Sequence, residues 1–169
     1  CIKQGQDEYA KKGYLTAQDG RTTIDQLAAL RKAADEQAYY IDVVAYPDMT
    51  LGTEEVAEGT YTPTHQYKNK FRLGGVKLTL DGSPQGKTAW LTKCYHVNPE
   101  GRTGCYEGYP IMDDDKATEY VKTAFKNKWQ ILCHSNGDAA IDQYIKAVGA
   151  AEKEFGYLNH RTVLIHGQT

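Results

Sequence analysis

The chain has 169 residues, with 20 basic and 22 acidic side chains and a formal net charge of −2. Both signs are interspersed, so composition argues against nucleic acid and against an anionic membrane surface as partners. No apolar run approaches the roughly 18 residues that a bilayer span needs, so no membrane partner is expected.

Two strands, one complete helix and the end of another helix are predicted in the first fifty residues. Residues 9–13 resemble the end of a helix, and residues 14–20 follow as a short strand. A helix opened by one of two adjacent threonines extends to about Ala38, because apolar residues recur there at helical spacing. Residues 40–47 form an apolar run that ends on proline, which predicts the next strand.

The middle of the chain predicts a strand between two polar regions. Residues 53–58 favour a single helical turn, and residues 60–70 are polar, so His65 is interpreted as an ordinary surface residue. A strand that carries a lysine is then predicted from about Arg72 to Asp81.

A long loop and two helices are predicted in the second half. Residues 83–112 have no period, and a loop of that length is usually functional or mobile. We call it the excursion. Helices are predicted at 113–128 and 138–155, the second with Asp138 as its N-cap. The repeated alternation of strand and helix predicts a parallel α/β fold in a single unit spanning residues 1–169.

Three residues at or near strand ends have the chemistry of a metal site. His134 ends an apolar run, His166 ends the last one, and Lys77 lies inside GGVKLTLDG. Each histidine alone is more often a core or rim residue. Two histidines on successive strands, with a lysine on the strand before them, favour a shared site for zinc or a similar borderline metal ion.

Lys77 leaves two interpretations open. A buried ammonium must be paired or neutralised, so Lys77 is predicted either to pair with a carboxylate such as Asp81 or to have a lowered pKa. A neutral amine can act as a base, form a Schiff base or take up carbon dioxide as a carbamate.

The four cysteines leave the compartment open. Cys133 lies in an apolar strand, where a free buried thiol is common. Cys94 and Cys105 flank a loop and are compatible with a disulfide, with a metal knot that includes His96, or with two unpaired thiols.

Three motifs together resemble the amidohydrolase superfamily. They are GGVKLTLDGSPQGKTAWL, HSNGDAAID and LIHGQT, and they follow the family's order and spacing. The branch that they resemble includes N-substituted formamide deformylases, with the typical forms G-V-K-x-x-x-D-G-S, H-A-x-G-D-x-A and E-H-x-Q.

The resemblance implies a partial (β/α)8 TIM barrel, with this chain supplying about strands two to six and their helices. It implies one or two divalent ions, zinc favoured, at the carboxyl rim, with Lys77 carboxylated and His134 and His166 as ligands. Such enzymes use a metal-activated water to hydrolyse an amide or related C–N bond. The expected partner is a small amide-like molecule, with Asp81, Gly82 and Arg102 as candidate substrate contacts.

The chain also departs from the family pattern. The paired histidines of the first strand and the aspartate of the eighth strand are not in this sequence. Ser135 and Asn136 replace a small apolar pair, and Ile165 stands where glutamate commonly precedes the last histidine. With an incomplete ligand set the chain alone is expected to bind metal poorly and to be inactive.

Two rival functions remain open. A degenerate barrel piece can serve as a non-catalytic binding or regulatory module, and an aldolase-like barrel can use Lys77 as a Schiff-base lysine. Borohydride trapping with a carbonyl substrate separates the second from a carbamate. Exposed strand edges are expected to permit homo-oligomers.

Overall fold

The fold is known from a computed structural model, which describes residues 2–51, 54–157, 159 and 161–169. The chain divides into two compact units, residues 1–77 and 78–169, and each is described by itself. In the described residues the elements are α1 (Ile2–Lys11), β1 (Thr16–Thr22), α2 (Ile24–Asp35), β2 (Asp42–Pro47), α3 (Glu54–Ala57), β3 (Phe71–Leu73), β4 (Val76–Thr79), α4 (Asp114–Lys126), β5 (Ile131–Ser135), α5 (Asp138–Phe155) and β6 (Val163–His166).

The first unit is built on a parallel sheet with the order β1-β2-β3. The strand that was predicted at 40–47 is confirmed as β2, and all of its residues after Asp42 are buried. The core of the first unit contains the residues Leu27, Ala33, Ala34, Tyr39, Val43, Ala45 and Phe71.

Helix α2 has the predicted threonine start but ends earlier than predicted. The side chain of Gln26 accepts a hydrogen bond from the Thr23 backbone N–H at 2.9 Å, which satisfies a donor that the helix leaves unpaired. At the other end Gln37 has φ 54°, so the helix stops at Asp35 and not at Ala38. The predicted turn is confirmed as α3, while Thr53 lies outside the described residues.

The single strand that was predicted from Arg72 to Asp81 is wrong, because glycines divide it into β3 and β4. The Gly74 N–H donates to the Ala45 carbonyl at 2.7 Å, and a Cβ on Gly74 would lie 2.5 Å from Cζ of Tyr46. The Tyr61 hydroxyl donates to the Gly74 carbonyl at 2.8 Å. The chain is thus held against two aromatic side chains where the ladder is interrupted.

The second unit contains β5 and β6, which follow β4 in the sheet order β4-β5-β6, and the helices α4 and α5, which pack against each other. The β5–β6 pair is parallel, with Leu132 opposite Val163 and Ser135 opposite His166. Helix α4 begins as predicted, because the Asp113 carboxylate accepts the Lys116 N–H at 2.8 Å. The parallel α/β prediction is therefore confirmed in the described strands.

The prediction that Asp138 is the N-cap of α5 is wrong. Gly137 occupies that position, and Asp138 is the first helical residue. Its carboxylate accepts the Thr92 N–H at 2.8 Å and a hydrogen bond from the Thr92 hydroxyl. These bonds hold the excursion to the start of α5 and lower the pKa of Asp138, with the Thr92 hydroxyl as the largest cause.

The excursion is confirmed as a long segment without helix or strand. Cys94 and Cys105 form a disulfide, so the metal-knot and unpaired alternatives for them are wrong. Near the disulfide the Tyr95 N–H donates to the Tyr106 carbonyl at 2.8 Å. Cys133 is free and buried, as predicted.

Among the helices in the described part of the chain, none has both the length and the apolar character that crossing a bilayer requires.

Candidate metal centre

The structure brings two of the predicted metal ligands together. His134 is the fourth residue of β5 and His166 is the last residue of β6. Their ring centroids are 4.6 Å apart and their planes meet at 75°. Parallel strands deliver both imidazoles to the same carboxyl edge of the sheet, where α/β proteins keep reactive groups.

This spacing fits two imidazole ligands on one ion. At the usual Zn–N distance each centroid lies about 3.2 Å from the metal, so two rings on a tetrahedral ion have centroids about 5 Å apart. Within the described residues, three ligating atoms of His, Cys, Asp or Glu gather only at Cys94, Cys105 and Glu107. The two sulfurs there are bonded to each other, so they cannot serve as thiolate ligands.

The tautomer of His134 follows from a backbone contact. Its Nε2 lies 2.8 Å from the Gly82 carbonyl oxygen. A carbonyl can only accept, so Nε2 carries a proton, and in the neutral ring Nδ1 then has the lone pair that a metal needs. Metal-binding histidines usually donate their second N–H in this way.

Asp81 holds two loops together. It is 1% exposed, and its carboxylate accepts the backbone N–H groups of Asn136 at 2.9 Å, Gly137 at 2.7 Å and Trp90 at 3.0 Å. Its Oδ1 also lies 3.5 Å from Nε2 of His134. The structure gives Asp81 a role in fixing the loops after β4 and β5, and contact with a substrate stays a prediction.

Gly82 contributes its carbonyl oxygen, which accepts from Nε2 of His134 and from Nδ2 of Asn136, both at 2.8 Å. A Cβ on Gly82 would overlap the Thr88 hydroxyl, so only glycine fits the chain at this point. Its predicted contact with a substrate stays a prediction.

Arg102 is exposed on the excursion. Its guanidinium lies 5.9 Å from the centroid of the Tyr106 ring, within cation–π range. Its predicted contact with a substrate also stays a prediction.

Lys77 belongs to the first unit, where it is 5% exposed. Its carbonyl accepts the Met49 N–H at 2.8 Å, and the two chain segments form a parallel bridge at Asp48 and Lys77. That Lys77 shares an ion with the two histidines stays a prediction.

No role for Asn136 was predicted from the sequence, where this residue is only a departure from the family pattern. Asn136 is 2% exposed, and its Nδ2 lies 3.1 Å from Nε2 of His134. Its Oδ1 is buried with no hydrogen-bond partner among the described residues. An amide two residues after a strand-end histidine was the available signal.

A cleft of about 260 Å³ lies in the first unit, beside β3 and the end of α2. Its lining includes Arg31, Asp35, Lys68 and Arg72. None of the predicted metal ligands lines it, so the cleft is not the candidate centre.

Two solved structures have a similar fold. An uncharacterized metal-dependent hydrolase from Pyrococcus furiosus gives a TM-score of 0.72 at 25% identity, over 89% of this chain and 31% of that one. An uncharacterized metal-dependent hydrolase from Pyrococcus horikoshii OT3 gives 0.70 at 23% identity, over 88% and 29%. The predicted fold class, a partial (β/α)8 barrel, is confirmed, and the chain spans about a third of each structure's length.

A comparison with curated proteins found no match. A comparison with protein families matches the amidohydrolase family over the whole of residues 1–169. The strand-end histidines, the parallel fold and this match agree with one another, and the chain belongs to the amidohydrolase family.

Proposed function

We propose that this chain is part of a metal-dependent hydrolase that cuts an amide or related C–N bond of a small molecule. Family membership and the fold shared with metal-dependent hydrolases support the proposal. The observation that carries it is the pair of imidazoles, His134 and His166, with centroids 4.6 Å apart at neighbouring strand ends.

The two histidines are the residues that would hold the ion. His134 would use Nδ1, because its Nε2 donates to Gly82, and His166 would supply a second imidazole nitrogen. A divalent ion bound there supplies a Lewis acid that polarises a carbonyl and makes a water molecule acidic enough to attack at neutral pH. Imidazole ligands suit zinc, which is the ion that we propose.

The residues around the pair orient it. The Gly82 carbonyl fixes the His134 tautomer, and Asp81 keeps the Gly82 loop against the loop that follows His134. An imidazole whose orientation is fixed before an ion arrives loses less conformational entropy on binding.

Lys77 is carried forward as the candidate carboxylated lysine, on the strength of the family resemblance. Its neutral amine would add carbon dioxide and release one proton, leaving an anionic carbamate with two oxygens. Carbon-13 NMR of protein equilibrated with labelled bicarbonate should show a carbamate signal that is lost in Lys77→Ala. A spectrum without that signal would contradict the assignment.

The first substrates to test are small N-formyl and N-acyl amines, because the sequence motifs resemble those of N-substituted formamide deformylases. The 169-residue chain by itself is expected to be inactive, since its ligand set is incomplete. Stoichiometric zinc together with amidase activity in this chain alone would contradict that expectation. A homo-oligomer through strand edges also remains a prediction.

The experiment that tests the proposal uses the longer protein that contains this chain. His134→Ala and His166→Ala should each lower kcat/KM by at least 100-fold and reduce bound metal, because each removes a proposed ligand. His65→Ala is the matched control, since His65 is an exposed loop histidine. Unchanged turnover and metal content in the His134 and His166 variants would overturn the proposal.

A non-catalytic binding module is the second candidate. Ile165 favours it, because it stands where the family commonly has glutamate, and it pairs with His134 in the strand register. A protein that binds zinc and a small amide without hydrolysing it would support this alternative.

A further inference from the structure

Asn136 ties together the loops that follow β4, β5 and β6. Its backbone N–H donates to Asp81 at 2.9 Å, and its side-chain Nδ2 donates to the Gly82 carbonyl at 2.8 Å. Its own carbonyl accepts the N–H of Thr169 at 3.2 Å and the Thr169 hydroxyl at 3.0 Å. The residue thus connects the segments on which both histidines are mounted.

The contact between Asn136 and His134 is arranged around one shared acceptor. Nδ2 of Asn136 and Nε2 of His134 are 3.1 Å apart, and each is 2.8 Å from the Gly82 oxygen. A carbonyl oxygen has two lone pairs and takes both donors. If Nε2 lacked its proton, its lone pair would face the Gly82 oxygen, which is repulsive at that distance.

The orientation of the amide is decided by the same contacts. Turning it over would place its oxygen 2.8 Å from the Gly82 oxygen, so the NH2 group must face Gly82. The opposite atom, Oδ1, is then buried without a partner in the described part of the chain. An unsatisfied buried acceptor is costly, so an apolar side chain would suit this position better if filling space were its only task.

We propose that Asn136 is a positioning residue for His134. It anchors the Gly82 carbonyl so that the carbonyl holds the imidazole in the Nε2–H form with Nδ1 directed to a ligand. The inference rests on the proposed function for the identity of that ligand, a divalent ion. The tautomer itself requires no ion and is tested separately.

The first measurement uses the longer wild-type protein that contains this chain, and it needs no metal. Nitrogen-15 NMR of histidine-labelled protein at a pH above the imidazole pKa distinguishes the two neutral tautomers. We expect His134 to be the Nε2–H form, with at least a tenfold excess. A predominant Nδ1–H form would overturn the proposal whether or not metal binds.

The variant Asn136→Leu removes the NH2 donor and also the unpaired oxygen. The tautomer ratio of His134 should fall at least fivefold, and zinc affinity should fall about 10- to 100-fold, as for other groups that orient metal ligands. If the Asn136→Leu variant does not fold, Asn136→Ala is measured in its place. A folded variant with the tautomer ratio and zinc affinity within twofold of wild type would also overturn the proposal.

Gln143 supplies the matched control. It is also a buried amide, 3% exposed, whose NH2 donates to Met112 and Asp114 while its Oε1 has no partner among the described residues. Gln143→Leu should leave the His134 tautomer and zinc affinity unchanged. If His134 in the longer protein has the predicted tautomer but neither histidine signal responds to zinc, the proposed function fails and the positioning role stands.

Discussion

Two buried aspartates, each just beyond a parallel strand, are satisfied in different ways. Asp48, in the first unit, is fully buried and takes its hydrogen bonds from nearby residues of the chain and from one cation. The donors are the Thr50 N–H and hydroxyl at 2.7 and 2.6 Å, the Leu51 N–H at 3.1 Å and Nε of Arg21 at 2.8 Å. Asp81, in the second unit, takes backbone N–H groups from positions 90, 136 and 137.

The difference shows which buried carboxylates a sequence can reveal. The Asp48 turn is local, and an aspartate two residues before a threonine is a familiar pattern for it. The Asp81 contacts join segments up to 56 residues apart. Nothing near Asp81 in the sequence indicates these partners, and the residue was predicted only as a possible partner of Lys77 and as a substrate contact.

The largest expected effect is the loss of the Asp81 carboxylate. Asp81→Ala leaves three backbone N–H groups without their acceptor, two of them on buried residues, and should destabilise the second unit by roughly 3–6 kcal/mol. Asp48→Ala should cost roughly 1–3 kcal/mol, because the exposed Thr50, Leu51 and half-exposed Arg21 regain water. Urea unfolding measures both, and an equal or larger loss for Asp48→Ala would refute the contrast.

A glycine substitution sharpens the comparison next. A Cβ on Gly137 would overlap the Trp90 carbonyl oxygen, so Gly137→Ala must separate the two loops that Asp81 joins. We expect a loss of about 1–3 kcal/mol. Gly149→Ala is the control, since Gly149 lies inside α5 with open space around it, and should stabilise by about 0.5–1 kcal/mol. Thermal unfolding that ranks the two variants in the opposite order would contradict the packing described here.

The smallest expected effect is on the stability of the protein at acid pH. Burial acts to raise the pKa of Asp48, but hydrogen bonds from the Thr50 hydroxyl, Arg21 and backbone N–H groups outweigh it, so the pKa lies below its ordinary value of 3.8. A lowered folded-state pKa gives stability above pH 3.8 that is lost as the pH falls through the folded value. The stability difference between wild type and Asp48→Asn should therefore narrow below pH 4. A difference that stays constant down to pH 2 would show that the ionised form is not favoured.

Much of the fold was predictable, because its signals are local. Apolar spacing predicted α5 and a run ending on proline predicted β2, and both were found. The break at Gly74 was missed, because its cause is the ring of Tyr46, which is remote in sequence. The N-cap role of Gly137 was also missed, because Asp138 is the more usual N-cap residue and its carboxylate instead accepts from Thr92, which is remote in sequence.

The candidate site was predictable in its residue types but not in its supports. His134 and His166 each end an apolar run, and parallel pairing brings their rings together. Gly82 was predicted as a substrate contact, but what it contributes is a backbone carbonyl that accepts a hydrogen bond from His134. Asn136 was passed over because its bonds reach residues that only the folded chain brings near.

X-ray absorption at the zinc edge of this chain, at a zinc concentration that saturates its incomplete ligand set, tests the central claim most directly. The account predicts two imidazole nitrogens at about 2.0 Å, a signal that disappears in the His134→Ala, His166→Ala double variant. Zinc bound through sulfur at about 2.3 Å, or imidazole ligation that survives in the double variant, would contradict it.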